Sequence, residues 1–301
     1  MRRVLVALVV LLAGCPGAGE FQDSTTTVTP APVPEDVTYP PGIGPSGVVD
    51  PATLGETHAA ILADTSYTIV SNRTISGPNG SLRSSLDVRV ALAADRSYHA
   101  RAATAGPEGP VFMGLPPARG EYWSNGTVYV SLLERGDGWT ASRFTPPNAF
   151  AGTWRYWRST VAFGGGASFS LETLRSLFES IPTTLVGTRS TDGTTLYLLA
   201  GDSAVSADFA KAGTGRVSNV SFRAVVTEAG VVRSFDLSYQ RQAGSDPIAV
   251  DWHLRYEDVG STKVDPPAWV GAALSQDSPV TVTSTPSYAS SMAAPRMESG
   301  W

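Results

Sequence analysis

The sequence predicts an α+β protein built on one strongly curved antiparallel β-sheet, a half-barrel of about ten strands, with helices on its concave side. Two observations carry this. Segments that alternate apolar and polar residues fill most of the chain between Ser66 and Tyr256, separated by turns rich in Gly, Asn and Pro. Only two segments place apolar residues at helical spacing. A sheet with one apolar face must be covered. Two helices of roughly 11 to 13 residues are under 20 Å long at about 1.5 Å per residue, which is short for that task. An incompletely filled groove follows.

In chain order, Arg2 and Arg3 precede a wholly apolar run from Val4 to Ala13, the arrangement of an export signal. The run is too short to span a bilayer, which takes about 20 apolar residues. It ends at Leu12-Ala13-Gly14-Cys15, the site of the only cysteine. These four residues resemble the lipobox of bacterial and archaeal lipoproteins. The resemblance implies cleavage before Cys15, lipidation of its thiol and anchoring to the extracytoplasmic face of the membrane. Residues 1–14 are then a signal peptide. Arg2-Arg3 suits twin-arginine export and the general secretory route equally. Residues 15–46, rich in Thr, Pro, Gly and Ser, are expected to form a disordered tether.

With 22 basic and 27 acidic residues the chain carries a net charge of −5. Removing Arg2 and Arg3 leaves 20 minus 27, or −7, which argues against a nucleic-acid partner. No intrachain disulfide is available, so packing alone must hold the fold. Gly42-Ile43-Gly44-Pro45-Ser46-Gly47 matches the G-x-G-x-x-G spacing. A dinucleotide site needs a strand before it and a helix opening within it, whereas here Tyr39-Pro40-Pro41 precedes the run and Pro45 interrupts it.

The domain itself is expected over residues 47–270. Asp50 caps a first helix over 51–63, with Pro51 at its first position and Leu54, His58, Ile61 and Leu62 on one face. His58 on this stripe reads as a packing residue. Strands follow over 66–75 and 86–92 around the turn Gly77-Pro78-Asn79-Gly80, then over 98–104. A Gly/Pro loop spans 106–117. Strands at 121–123 and 127–133 flank Asn125-Gly126, and another covers 139–144. Between Pro146 and Ser170 lie Phe150, Trp154, Tyr156, Trp157 and Phe163, dense enough in aromatics to line the mouth of a cavity or to plug one end of the sheet. Ser170 begins a second helix carrying Leu171, Leu174, Phe178 and Ile181, stopped by Pro182. Two strands meet at Asp192-Gly193. Three long ones then place Phe222, Ala224 and Val226, Phe235, Leu237 and Tyr239, and Val250, Trp252, Leu254 and Tyr256 on one face. Residues 271–301 are expected to be a disordered tail.

Four Asn-x-Ser/Thr acceptors stand at Asn72, Asn79, Asn125 and Asn219. No metal site or cofactor is expected, and no catalytic residue is assigned. The three histidines, His58, His99 and His253, belong to no H-E-x-x-H motif, and no G-x-S-x-G is present. Asp251 and His253 share a strand face, which on a wet surface reads as a charge ladder.

The lipobox, linker, helix, long meander, central helix and final strands closing at Val264-Asp265-Pro266-Pro267-Ala268-Trp269 resemble the LolA/LppX-like lipoprotein-carrier superfamily. Tyr39-Pro40-Pro41-Gly42, Gly47-Val48, Asp50, Leu54, His58 and Ser66-Tyr67-Thr68 are similar to a segment of uncharacterised haloarchaeal lipoproteins. The resemblance implies an apolar groove able to hold an acyl or isoprenoid chain. Trp123, Phe150, Trp154, Trp157 and Phe178 are the expected groove residues. The leading expectation is therefore a membrane-anchored protein, tied to the membrane through Cys15, that binds a lipid or other apolar ligand without catalysing a reaction. The alternative is a non-catalytic glycosylated surface or adhesion lipoprotein without a ligand cavity.

Overall fold

The computed structural model describes residues 38–135, 138–143, 171–191, 193–206, 217–243, 246–275 and 280–282. The chain divides into two units, Met1–Thr38 and Tyr39–Trp301; the fold is that of the second. Cys15 and the expected signal lie outside the described residues, as do Phe150, Trp154, Trp157 and Ser170.

The domain begins earlier than residue 47. Strands β1 (Ile43–Gly44) and β2 (Gly47–Val48) form a small antiparallel ladder, inside the segment expected as tether. The glycines that mimicked a nucleotide motif serve this turn. At Gly47, with φ at +127°, a Cβ would sit 2.0 Å from the Thr183 carbonyl oxygen. Backbone approaches backbone there, and only glycine fits.

Helix α1 (Pro51–Ala63) starts as the sequence predicts. The Asp50 carboxylate accepts from the Thr53 N–H at 3.0 Å and from its hydroxyl at 2.6 Å, satisfying donors the first turn leaves open. Helix α2 (Leu171–Ser180) leads into Ile181-Pro182.

The main sheet has twelve antiparallel strands among the described residues: β3 (Tyr67–Ser76), β4 (Leu82–Leu92), β5 (Tyr98–Ala105), β6 (Ala118–Ser124), β7 (Tyr129–Arg135), β8 (Gly138–Arg143), β9 (Thr184–Thr191), β10 (Thr194–Gly201), β11 (Val217–Thr227), β12 (Val232–Ala243), β13 (Asp246–Glu257) and β14 (Val280–Val282). Their order is β14-β8-β7-β6-β5-β4-β3-β13-β12-β11-β10-β9. Two meanders, β3 to β8 and β9 to β13, are joined where β13 pairs with β3, Trp252 facing Arg73. The sheet is open, with β14 and β9 at its edges. The expected fold class stands. The expected tail begins inside helix α3 (Trp269–Leu274) and contains β14, whose Val280–Val282 pairs with Trp139–Ala141 of β8.

The alternation read from the sequence sorts the sheet into two faces. One face, here the inner, carries Tyr67 and Ile69, Leu86 to Leu92 at every second position, Phe235, Leu237, Tyr239, Val250, Trp252, Leu254 and Tyr256, all buried. Leu54 and Leu62 of α1 and Leu174, Leu177 and Phe178 of α2 join them in one core. The other face over β12, β13 and β3 is polar.

Candidate functional site: the inner face and its rim

Helix α1 is fixed at one end of the inner face. Nδ1 of His58, buried, accepts from the Val232 N–H at 3.2 Å, and the ring packs edge-on to Tyr256 with centroids 5.2 Å apart. His58 is thus the packing residue the sequence suggests, and it also holds the first donor of β12. Beside it, a Cβ on Gly230 of the β11–β12 turn would meet Thr57 at 2.8 Å, so the turn can be this tight against the helix only with glycine. Helix α2 covers the β10–β11 side: Phe178 stacks edge-to-face on Phe222 at 5.5 Å, and Ile181 fills the space a side chain at Gly201 would need. Beneath both helices the inner face is filled by side chains. Phe178, an expected groove residue, is 4 % exposed and belongs to this packing.

Toward the opposite end, where the β3–β4 turn and the loop 106–117 lie, cover thins. Along β3, Tyr67, Ile69 and Ser71 are buried, whereas Arg73 and Ile75 are half-buried. Ser84, Val217 and Arg241, inner-face residues at the same end, are also half-buried. Next to them β5 and β6 present small side chains, Ala100, Ala102 and Ala118, with Gly120. Met113, from the 106–117 loop, folds over this strip, its carbonyl held by the Arg135 guanidinium at 2.7 Å. Small residues under a flexible thioether leave a surface that repacks easily.

Trp123 requires a correction. Its register, opposite His99 and Val130, puts it on the outer face, away from the inner core. There Trp123, Val130, Leu132, Trp139 and Ala141 form a second apolar cluster, covered by Trp269, Val270 and Ala273 of α3. The sheet is therefore apolar on both faces at its β6–β8 end. Beneath α3, Glu121, 2 % exposed, accepts from Trp269 Nε1 at 3.0 Å and pairs with His99 Nε2 at 2.9 Å, while Arg101 Nε stands 3.6 Å away. Burial alone would raise the Glu121 carboxyl; the bonds from His99 and Trp269 outweigh it and hold the group below its ordinary range. The carboxylate is spent on anchoring a helix. The adjacent apolar pair Leu132-Leu133 and the apolar residues of Trp269-Val270-Gly271-Ala272-Ala273-Leu274 were the signals for this cluster.

On the polar outer face His253 pairs with Asp236, its cross-strand neighbour, at 2.5 Å, and not with Asp251. The bond to Asp236 raises the His253 pKa against a smaller opposing effect of burial. Glu257 bridges Arg89 at 2.7 Å and Arg255 at 2.6 Å. Among the acceptor asparagines, Asn79, Asn125 and Asn219 are exposed, the first two at turns. Asn72 is half-buried within β3, its amide nitrogen bonded to Asp87. No group of three or more metal-ligating side chains occurs among the described residues, and no helix there is long and apolar enough to cross a membrane.

The profile of a family of unknown function (DUF7537) matches residues 1–273. The chain belongs to that family. No curated protein matches it in sequence. Solved structures to which it is similar include LprF from Mycobacterium bovis, 10 % identical over 74 % of this chain and 99 % of LprF, with a TM-score of 0.35. The Mycobacterium tuberculosis lipoprotein LppX is 14 % identical over 71 % of this chain and 98 % of its own, with a TM-score of 0.32. A LolA superfamily protein from Nitrosomonas europaea is 9 % identical over 70 % and 93 %, with a TM-score of 0.25.

Proposed function

We propose that this family member is an extracytoplasmic lipoprotein, held to the membrane through a lipid on Cys15, that binds a lipid or other apolar molecule on the inner face of its sheet and catalyses no reaction. The observation that carries the reading is the graded cover of that face. It is sealed by α1 and α2 at one end, and at the other it carries half-buried Ile75 and Val217 and, on β5 and β6, a strip of alanines under Met113. An apolar surface bordered by small and flexible side chains is where a hydrocarbon chain finds contacts without displacing water-bound polar groups. The export-type N-terminus and Cys15 support the location. Native mass spectrometry and solvent extraction of the purified protein test the binding; a protein that carries no lipid and takes up no fluorescent fatty acid removes the reading. Cys15→Ser is expected to release the protein into the medium, and retention at the membrane counts against the anchor.

A second reading, a glycosylated surface protein without a ligand, is favoured by the solid packing under α1 and α2. It predicts glycans at exposed Asn79, Asn125 or Asn219 and no lipid uptake.

A further inference from the structure

Two arginines stand on the inner face, at the end where its cover thins. Arg73 of β3 faces Trp252 on one side and Leu86 on the other, both buried and apolar. Arg241 of β12 lies between Ile248, buried, and Val217. The Nε of each guanidinium is buried and has no hydrogen-bond partner. No carboxylate among the described residues forms an ion pair with either, whereas Arg83, Arg89, Arg175 and Arg255 on the outside all have one. Asp246, the inner-face acid nearest Arg241 along the strands, is exposed at the start of β13.

A cation on an apolar, half-buried surface is unfavourable unless it is paired. The cost is not explained by packing alone, since leucine or methionine would fill either position. From the register, the two Cα atoms are two strands and four residues apart, roughly 17 Å at about 4.8 Å per strand and about 3.4 Å per residue. Both side chains stand on the same face, and arginine is long enough for guanidinium groups at this separation to reach one small oxyanion held between them.

We propose that the ligand is an amphiphile with an anionic head, a carboxylate or a phosphate, whose head pairs with Arg73 and Arg241 while its hydrocarbon chain lies on the inner face toward Ile75 and the alanine strip. This rests on the apolar-ligand reading above and sharpens it. A planar guanidinium binds either oxyanion through two parallel hydrogen bonds. Pairing there is compatible with a net charge of −5, because the field that matters is local and two guanidinium groups stand at this end of the inner face.

The test uses the full chain with Cys15→Ser, stripped of bound lipid, titrated calorimetrically with three probes of one chain length: palmitate, palmitoyl lysophosphatidate and hexadecanol. The expected result is that at least one anionic probe binds about tenfold or more tighter than hexadecanol, the better of the two naming the head. In Arg73→Gln/Arg241→Gln this preference disappears while hexadecanol affinity stays within about twofold. Equal affinity for all three probes in the unmodified sequence overturns the head-group assignment and leaves the apolar site standing. Binding of none of them overturns the apolar reading as well. Should the double variant not fold, the single changes decide: a preference unmoved by either Arg73→Gln or Arg241→Gln overturns the assignment.

Discussion

His253 shows how a single side chain is set by its cross-strand neighbour. Asp236, directly opposite, holds its imidazolium, and burial opposes this only in part. A histidine whose folded pKa is raised adds stability below its ordinary value and loses it as pH rises through the folded one. In Asp236→Asn the His253 ring is expected to titrate at lower pH than in the parent, measured by proton NMR; an unchanged midpoint would mean that Asp251 or solvent sets it. Glu121 and Glu257 act with the opposite sign. Both are pushed up by burial and pulled down further by bonds, from His99 and Trp269 in one case and Arg89 and Arg255 in the other. Their contribution is present above the ordinary carboxylate range and is lost as pH falls through their depressed folded values. Asp87, raised by burial, works the other way but is eased by Asn72. The urea midpoint should therefore drop on acidification below about pH 4.5, and Glu121→Gln should flatten that dependence. A pH profile unchanged by the substitution would place the acid sensitivity elsewhere.

At the scale of elements, helix α3 is held by its own side chains and by the strand beneath it. Trp269 both covers Trp123 and Trp139 and donates to Glu121, and Arg143 caps the helix through the Leu274 carbonyl at 2.8 Å. Trp269→Ala removes a large buried ring and leaves Glu121 short of a donor. The expected loss is about 3–5 kcal/mol in chemical denaturation. A loss under about 1 kcal/mol would show that α3 is not part of the cooperative fold. The β1–β2 turn makes a separate demand. Gly47→Ala forces a Cβ into the Thr183 carbonyl at a positive φ, and about 1–3 kcal/mol is expected. A neutral result would mean that Val48 and Thr183 part easily, although the Val48 N–H donates to the Thr183 hydroxyl at 3.3 Å. Neither element was legible in the chain. Two-residue strands have no periodicity to read. Trp269 to Leu274 is too short to show a helical stripe against its Ser/Thr/Pro surroundings.

For the whole molecule, the pattern of one greasy and one wet face holds from β3 across β13 to β11 and fails at β6 to β8, where both faces are covered. That explains which parts of the candidate site were readable. Phe178 stands on a helix over the sheet, the direction its spacing from Leu174 and Ile181 sets, and there it packs against Phe222. Trp123 faces outward, which its sequence hides, because in Glu121-Tyr122-Trp123 the large residues fall on both parities and alternation cannot then say which side is the core. Arg73 and Arg241 are hidden for the same reason in reverse. An arginine within a strand reads as solvent-facing until the register with Trp252 and Ile248 places it among apolar neighbours.

By itself the sequence determined the local facts: the Asp50-capped helix, the strands and turns, the apolar parity of β11 to β13, and an N-terminus built like an export signal ending at Cys15. Each depends on residues within a few positions of one another, where backbone sterics and side-chain spacing decide. The tertiary structure alone decided that β13 pairs with β3 to fuse two meanders, that α3 roofs the outer face at β6 to β8, and that two arginines whose buried Nε atoms have no hydrogen-bond partner stand on the inner one. Those depend on which surfaces meet after the chain has closed on itself. Burial is a property of both partners, and only one of them is written at any given stretch of sequence.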